Sequence, residues 1–247
     1  MSRKTGILIT ILIVMAMATL ACQFTINTPR AVSGNGDVTQ EDRSVSGFDS
    51  LEINGLGDVT VELGEEESLT IEAEENLLPY LETYVRGSTL VIEIEDGRTI
   101  IPTKPVKFYL TVLSLEKVAV SGLGNISLPE LEADQFSIDI SGAGNIEIES
   151  LYADSFRATM SGLGDLNVNA GQVPTQTITI SGSGKYSAAE LDSENTTVSI
   201  SGLGSATVRA SQFLKVTISG SGNVNYFGSP QVDSEISGVG NLNRSGD

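Results

Sequence analysis

Residues 136–168 read FSIDISGAGNIEIESLYADSFRATMSGLGDLNV, and this stretch decides the fold. Ser-Gly-Ala-Gly begins at Ser141 and Ser-Gly-Leu-Gly at Ser161, so the tetrapeptide Ser-Gly-x-Gly returns after 20 residues. Working outward, it also starts at Ser121, Ser181, Ser201, Ser219 and Ser237, with the spacing falling to 18 after Ser201. Related versions stand at residues 33–37 and 54–58. Self-similarity at a fixed period marks a repeat architecture, in which each unit covers its apolar face with the next.

The flanks say what kind of unit repeats. Phe136, Ile138 and Ile140 alternate with Ser137 and Asp139 before one motif, and Ile146 and Ile148 follow it on the same parity. Alternation over such short runs is a strand with one buried face. Both 20 and 18 are even, so the change of spacing keeps every buried side chain inward. Gly142 and Gly144 then place no side chain in the interior, which predicts a sharp bend in crowded backbone. An antiparallel sandwich with two strands per unit is the rival. Identical motifs in every unit favour an all-β parallel β-solenoid, one coil per repeat and roughly ten to eleven coils in all. Residues 59–120 lack the motif and predict broader N-terminal coils or a capping sheet with one short helical turn around Pro79.

Composition removes several functions. The 247 residues include no histidine, one cysteine, no tryptophan, and 32 acidic against 14 basic side chains, for a net charge of −18. Without histidine there is no Ser-His-Asp unit and no imidazole metal site. One cysteine makes neither an internal disulfide nor a thiolate zinc cluster. The acidic excess opposes nucleic acid, whose binding depends on Lys and Arg displacing counterions.

That cysteine lies at a processing point. Arg3 and Lys4 precede the apolar run Ile7 to Leu20, and Ala21-Cys22 follows. A positive start, a short apolar run and a small residue make a secretory signal, too short for a comfortable span, although an uncleaved anchor helix is the alternative. Thr19-Leu20-Ala21-Cys22 resembles the lipobox of bacterial lipoproteins, with Thr19 where leucine is usual. The expected organisation is a signal at 1–21, the lipidated Cys22 with a tether to 32, N-terminal β coils at 33–120 and the regular solenoid at 121–247. Cleavage would take away two basic residues and no acid, leaving −20 on a body held to a membrane by lipid and repelled from anionic headgroups.

The segment Val-Ser-Gly-Phe-Asp-Ser-Leu-Glu-Ile from Val45, Ala-Glu-Glu-Asn-Leu-Leu-Pro-Tyr from Ala73, Gly-Ser-Thr-Leu-Val-Ile from Gly87 and the Ser-Gly-x-Gly series resemble the head-GIN domain family, described as putative autotransporter adhesins. The resemblance spans about residues 44–242 and implies a β-solenoid-like fold and an extracytoplasmic location. It supplies no catalytic residues.

Stacking turns repeated positions into columns. The residue after each motif gives Asn125, Asn145, Asp165, Lys185, Ser205, Asn223 and Asn241. Asn and Asp there predict tight-turn chemistry and amide bonds along the stack, with Asp165 beside Lys185 as an exposed ion pair. A candidate binding face is the column Ser121, Ser141, Ser161, Ser181, Ser201, Ser219 and Ser237. The column two residues earlier adds Thr159, Thr179 and Thr217, among Ala119, Asp139, Ser199 and Glu235. Such a strip is either a solvated face rich in β-favouring threonine or a regular surface for a glycan, a surface protein or an ordered solid. Stacked Asp134 and Asp154 would suit Ca²⁺ by ligand type, but no calcium-loop motif is present, so no cofactor is expected. Catalysis by a carboxylate pair on a β-helix scaffold is a rival reading, yet no pair is singled out. A passive structural or assembly module of the envelope is another. The expectation is a non-enzymatic, lipid-anchored adhesin or glycan- or protein-binding module that takes no nucleic acid; the sequence sets no oligomeric state.

Overall fold

The two-residue alternation is realised as parallel strands offset by one repeat. In the computed structural model, which describes residues 30–246, Asn125–Ile140 runs alongside Asn145–Met160 with Asn125 beside Asn145, Phe136 beside Phe156 and Ile140 beside Met160. Each coil has three sides. Face A takes the residues before each motif: Lys117–Val120, the second halves of the two long strands, then Thr175–Ile180, Asn195–Ile200, Phe213–Ile218 and Gln231–Ile236, all parallel. Face B takes the residues after it: the first halves of the long strands, then Leu166–Val168, Lys185–Ser187, Ser205–Arg209, Asn223–Phe227 and Asn241–Gly246. Face C is short and closes the coil through residues 130–135 and 150–155, Gly171–Gln172 and Leu191–Asp192. Ladders in register with the repeat are those of a β-solenoid and exclude the sandwich.

The interior is aliphatic, as a chain with 5% aromatic residues requires. Val118, Ile138, Ala158, Ile178, Val198 and Val216 form one buried row, and Val120, Ile140, Met160, Ile180, Ile200 and Ile218 the next. Each aliphatic side chain buried this way contributes on the order of 1.5–3 kcal/mol. Phe136 and Phe156 stack with centroids 6.0 Å apart. In the next two coils Gln176 and Thr196 occupy that row, both buried. The Tyr186 hydroxyl and the Ser193 side chain meet Gln176, whose amide also donates to Arg209 O, so this polar break in the core is hydrogen-bonded. Burial pushes the Tyr186 phenol up.

Glycine at the corner answers to the neighbouring coil. A Cβ on Gly142, Gly162, Gly182 or Gly202 would collide with the carbonyl oxygen of the corresponding glycine one coil earlier. Crowding therefore comes along the stack, and the Ser-Gly-x-Gly corners from Ser141 onward need no positive φ. Gly57 and Gly124, in the first two rungs, do adopt it.

The N-terminal end departs from a simple spiral. Ser50–Ile53 and Asp58–Leu63 form a rung directly beneath the coil of Lys117 and Asn125, across 67 residues of sequence. The intervening chain folds back below that rung. Thr89–Ile94 and Lys107–Val112 run parallel to it, and Leu81–Arg86, Ser68–Glu74 and Val38–Arg43 close the end antiparallel. A 3₁₀ turn, Leu78–Tyr80, supplies the short helical element, with Pro79 in its first turn. Because residues 64–116 build this cap, face A has nine parallel strands rather than ten or eleven coils. The motif-like residues 33–37 also lie in the cap, with Gly34 N bonded to Ile101 O and Gly36 N to the Glu74 carboxylate. They resemble a corner in sequence but do not stack as one.

Candidate functional site

The serine column extends face A into the corner. The backbone N–H groups of Ser141, Ser161, Ser181, Ser201, Ser219 and Ser237 donate to Val120, Ile140, Met160, Ile180, Ile200 and Ile218 one coil earlier, continuing the strand ladder. All seven serines, Ser121 included, are exposed. Ser121 Oγ caps the column by donating to Asn54 Oδ1 at 2.7 Å. Thr159, Thr179 and Thr217 share their column with Ala119, Asp139 and Ser199, all half-buried by neighbouring strands.

A third column completes this face. The registers align Lys117, Ser137, Arg157, Thr177, Thr197 and Lys215. Read along the chain, these basic residues look scattered; folded, three of the solenoid's cations share one row. Over the coils of residues 117–217 the two strand columns carry Lys117, Arg157 and Lys215 against Asp139 alone, and the last strand adds Asp233 and Glu235, so these columns are balanced in charge on a chain whose net charge is −18. Lys117 Nζ pairs with Asp139 at 2.9 Å, and among the described residues Arg157 and Lys215 hold no ion pair. A cavity of about 470 Å³ at the edge of this face is lined by Lys117 and Arg157, by the acids Asp49 and Glu116, and by Gln135 and Ser155 among others. The signal was present in the sequence as residue parity: Lys117, Arg157 and Lys215 each stand four places before a motif serine.

On the other side of the corner the Asn/Asp column forms bonds between coils, not local turn bonds. The Asp58 carboxylate accepts from Asn125 N and Nδ2, Asn145 Nδ2 donates to Asn125 Oδ1, Asn145 Oδ1 accepts from Asp165 N, and Asp165 accepts from Lys185 N. The row resumes with Asn223 and Asn241. No described residue other than glycine has positive φ, so left-handed turn chemistry plays no part. The expected ion pair is absent: Asp165 binds the Lys185 backbone, and among the described residues no carboxylate lies within 4 Å of Lys185 Nζ. The ladder skips Ser205, whose N–H donates to Gly184 O instead.

Asp134 and Asp154 flank a shallow depression on face C with Glu132 and Tyr152. Among the described residues no group of three or more Asp, Glu or Cys side chains is placed to hold a metal ion, and no helix is long and apolar enough to cross a membrane. Cys22 and the segments around it lie outside the described residues.

The comparisons agree with this architecture. A crystal structure from Bacteroides fragilis, described as a "putative adhesin", superposes with a TM-score of 0.83 at 22% identity, covering 87% of this chain and all of that one. A "putative adhesin" from Parabacteroides merdae gives 0.72 at 24% identity over 87% and 99% of the two chains. A "putative lipid binding protein" from Parabacteroides distasonis gives 0.70 at 24% over 87% and 100%. At such identities the likeness establishes the fold. No curated protein matches the sequence. A family profile described as "Putative auto-transporter adhesin, head GIN domain" matches residues 47–230, and the chain belongs to that family.

Proposed function

We propose that this protein is a non-catalytic binding module of the bacterial envelope, anchored by lipid at Cys22 outside the cytoplasm, and that face A is its adhesive surface. The observation that carries this reading is the alignment of hydroxyl and basic columns on one face. Hydroxyl side chains repeat there at the coil spacing of about 4.8 Å, and Lys117, Arg157 and Lys215 stand two and three coils apart in the same row. A flat array of donors whose cations outnumber its acids over the coils of residues 117–217 suits an extended polymer that carries hydroxyls and acid groups, such as an acidic cell-surface glycan. The remaining acidic surface repels such a polymer and so directs it to face A. Description of relatives with this fold as adhesins supports the same reading, as does the lipobox-like position of Cys22.

The test is a glycan array that includes acidic polysaccharides, together with an envelope pull-down, using the mature chain and a variant with Thr159, Thr179 and Thr217 replaced by Glu. Capture by the parent and loss in the variant is the expected outcome. Equal capture removes face A from consideration. Cys22→Ser is expected to release the chain from membranes; retention in the membrane fraction would contradict the lipid anchor.

A further inference from the structure

The corner between faces A and B carries a pattern that neither the ladders nor the hydroxyl columns use. Both glycines of Ser-Gly-x-Gly are held against the preceding coil, so the residue between them supplies the corner's outward side chain. In chain order these residues are Leu123, Ala143, Leu163, Ser183, Leu203, Ser221 and Val239, a strict alternation of large and small over seven coils. The large ones are unusually bare: Leu123 is 60% exposed, Leu163 69%, Leu203 70% and Val239 83%. Apolar knobs therefore stand about 10 Å apart along the ridge, with a one-coil gap above each small residue. Large apolar side chains aligned in this way mark an interaction surface.

A two-coil period narrows the choice of partner. We propose that the occupant is a second copy of this chain, packed ridge to ridge and antiparallel about a two-fold axis between the coils of Leu163 and Ser183. Over the six coils from Leu123 to Ser221 that operator sets each large residue against a small one, and at the ends it brings Val239 to the partly buried Leu56 of the N-terminal rung. Leu163 meets Ser183 of the second copy, Leu203 meets Ala143, and Leu123 meets Ser221. A parallel two-fold would set leucine on leucine. Charge selects the same arrangement. The serine column on one flank is uncharged, and from Asn125 to Asn241 the other flank carries only Asp165 and Lys185. These sit on the two coils beside the axis, so Asp165 of each copy faces Lys185 of the other. Lys185 Nζ, without an ion pair among the described residues, thereby gains one. Elsewhere an acidic body would oppose self-association; at this corner it does not. The two-fold also leaves both faces A on the same side of the pair, which widens the surface described above, although the dimer does not depend on what that surface binds.

The ridge is narrow, so the contact falls at the small end of specific interfaces, and micromolar association is expected. Sedimentation equilibrium of the full chain in a density-matched detergent measures it. The parent should dimerise in that range, and Leu163→Glu with Leu203→Glu should be monomeric with an unchanged thermal melt. Lys185→Asp should weaken association about tenfold, and adding Asp165→Lys should restore it, because the swapped charges face each other again across the axis. The charge swap involves exposed side chains, so it reports even if the leucine variant misfolds. A monomeric parent, including one that instead brings the ridge to lipid vesicles, would overturn the proposal. So would association that survives the leucine substitutions through the anchor alone, or a double swap as weak as Lys185→Asp.

Discussion

Glu74 shows how much a single residue can depend on distant chain. In sequence it belongs to an acidic run with Glu72 and Glu75; in the structure it is fully buried and ties the cap together. Its carboxylate accepts from Thr103 Oγ1 and N, from Gly36 N at 2.6 Å and from Lys104 N. Burial alone would raise its pKa, and these donors outweigh burial and hold it at about 2, below its ordinary 4.5. A lowered pKa means stability present above the unfolded value and lost as the pH falls from 4.5 toward 2. Urea unfolding across that window should therefore show a stability loss that Glu74→Gln largely abolishes, the variant being already weaker at pH 7. The donors lie 29 to 38 residues away, so no local pattern announced them. The corner glycines were legible as necessary but not for their full reason. Gly182→Ala drives a methyl into the Gly162 carbonyl and should cost about 1–3 kcal/mol in chemical denaturation; an unchanged midpoint would refute the close-approach account.

At the scale of strands and ladders, parity did most of the work. Even spacings of 20 and 18 determine which side chains face inward, and the buried rows from Val118 to Val216 follow that alternation. Parity also held the basic column of Lys117, Arg157 and Lys215, which becomes visible only when residues are counted back from each serine. What parity could not reveal was the order of stacking at the N-terminal end, because residues 50–63 pair with strands on both sides that are remote in sequence. Nor could it distinguish the corner-like residues 33–37 from the rung at 54–58. That distinction rests on Glu74 and Ile101, which bind the former. The Asn/Asp column makes a measurable claim at this scale. Asn145→Ala deletes the acceptor for Asp165 N and the donor to Asn125 and should cost about 0.5–1.5 kcal/mol. Ser205→Ala, at a position the side-chain ladder skips, should leave thermal unfolding unchanged. Equal losses at the two sites would show that the column is solvated decoration.

For the whole molecule, one end is closed by antiparallel strands and the coils that follow present three faces with different chemistry. Face A gathers hydroxyls and cations, face B carries the amide ladder, and the corner between them carries the apolar ridge. On the proposed reading, this division lets a chain with a net charge of −18 and no histidine offer a selective surface. Its chemistry is that of a repeated row rather than a pocket. Rows bind by summation, so each altered coil should remove a similar share of affinity. The most direct measurement is the affinity of the chain for an acidic glycan identified by array, as one, two and three of Thr159, Thr179 and Thr217 are changed to Glu, with three matching changes to Glu on face B, at Ser127, Asn167 and Thr207, as the control. The account predicts stepwise weakening with each face A substitution, steeper at low salt, and no effect from face B; affinity that ignores face A, or falls equally on both faces, would contradict it.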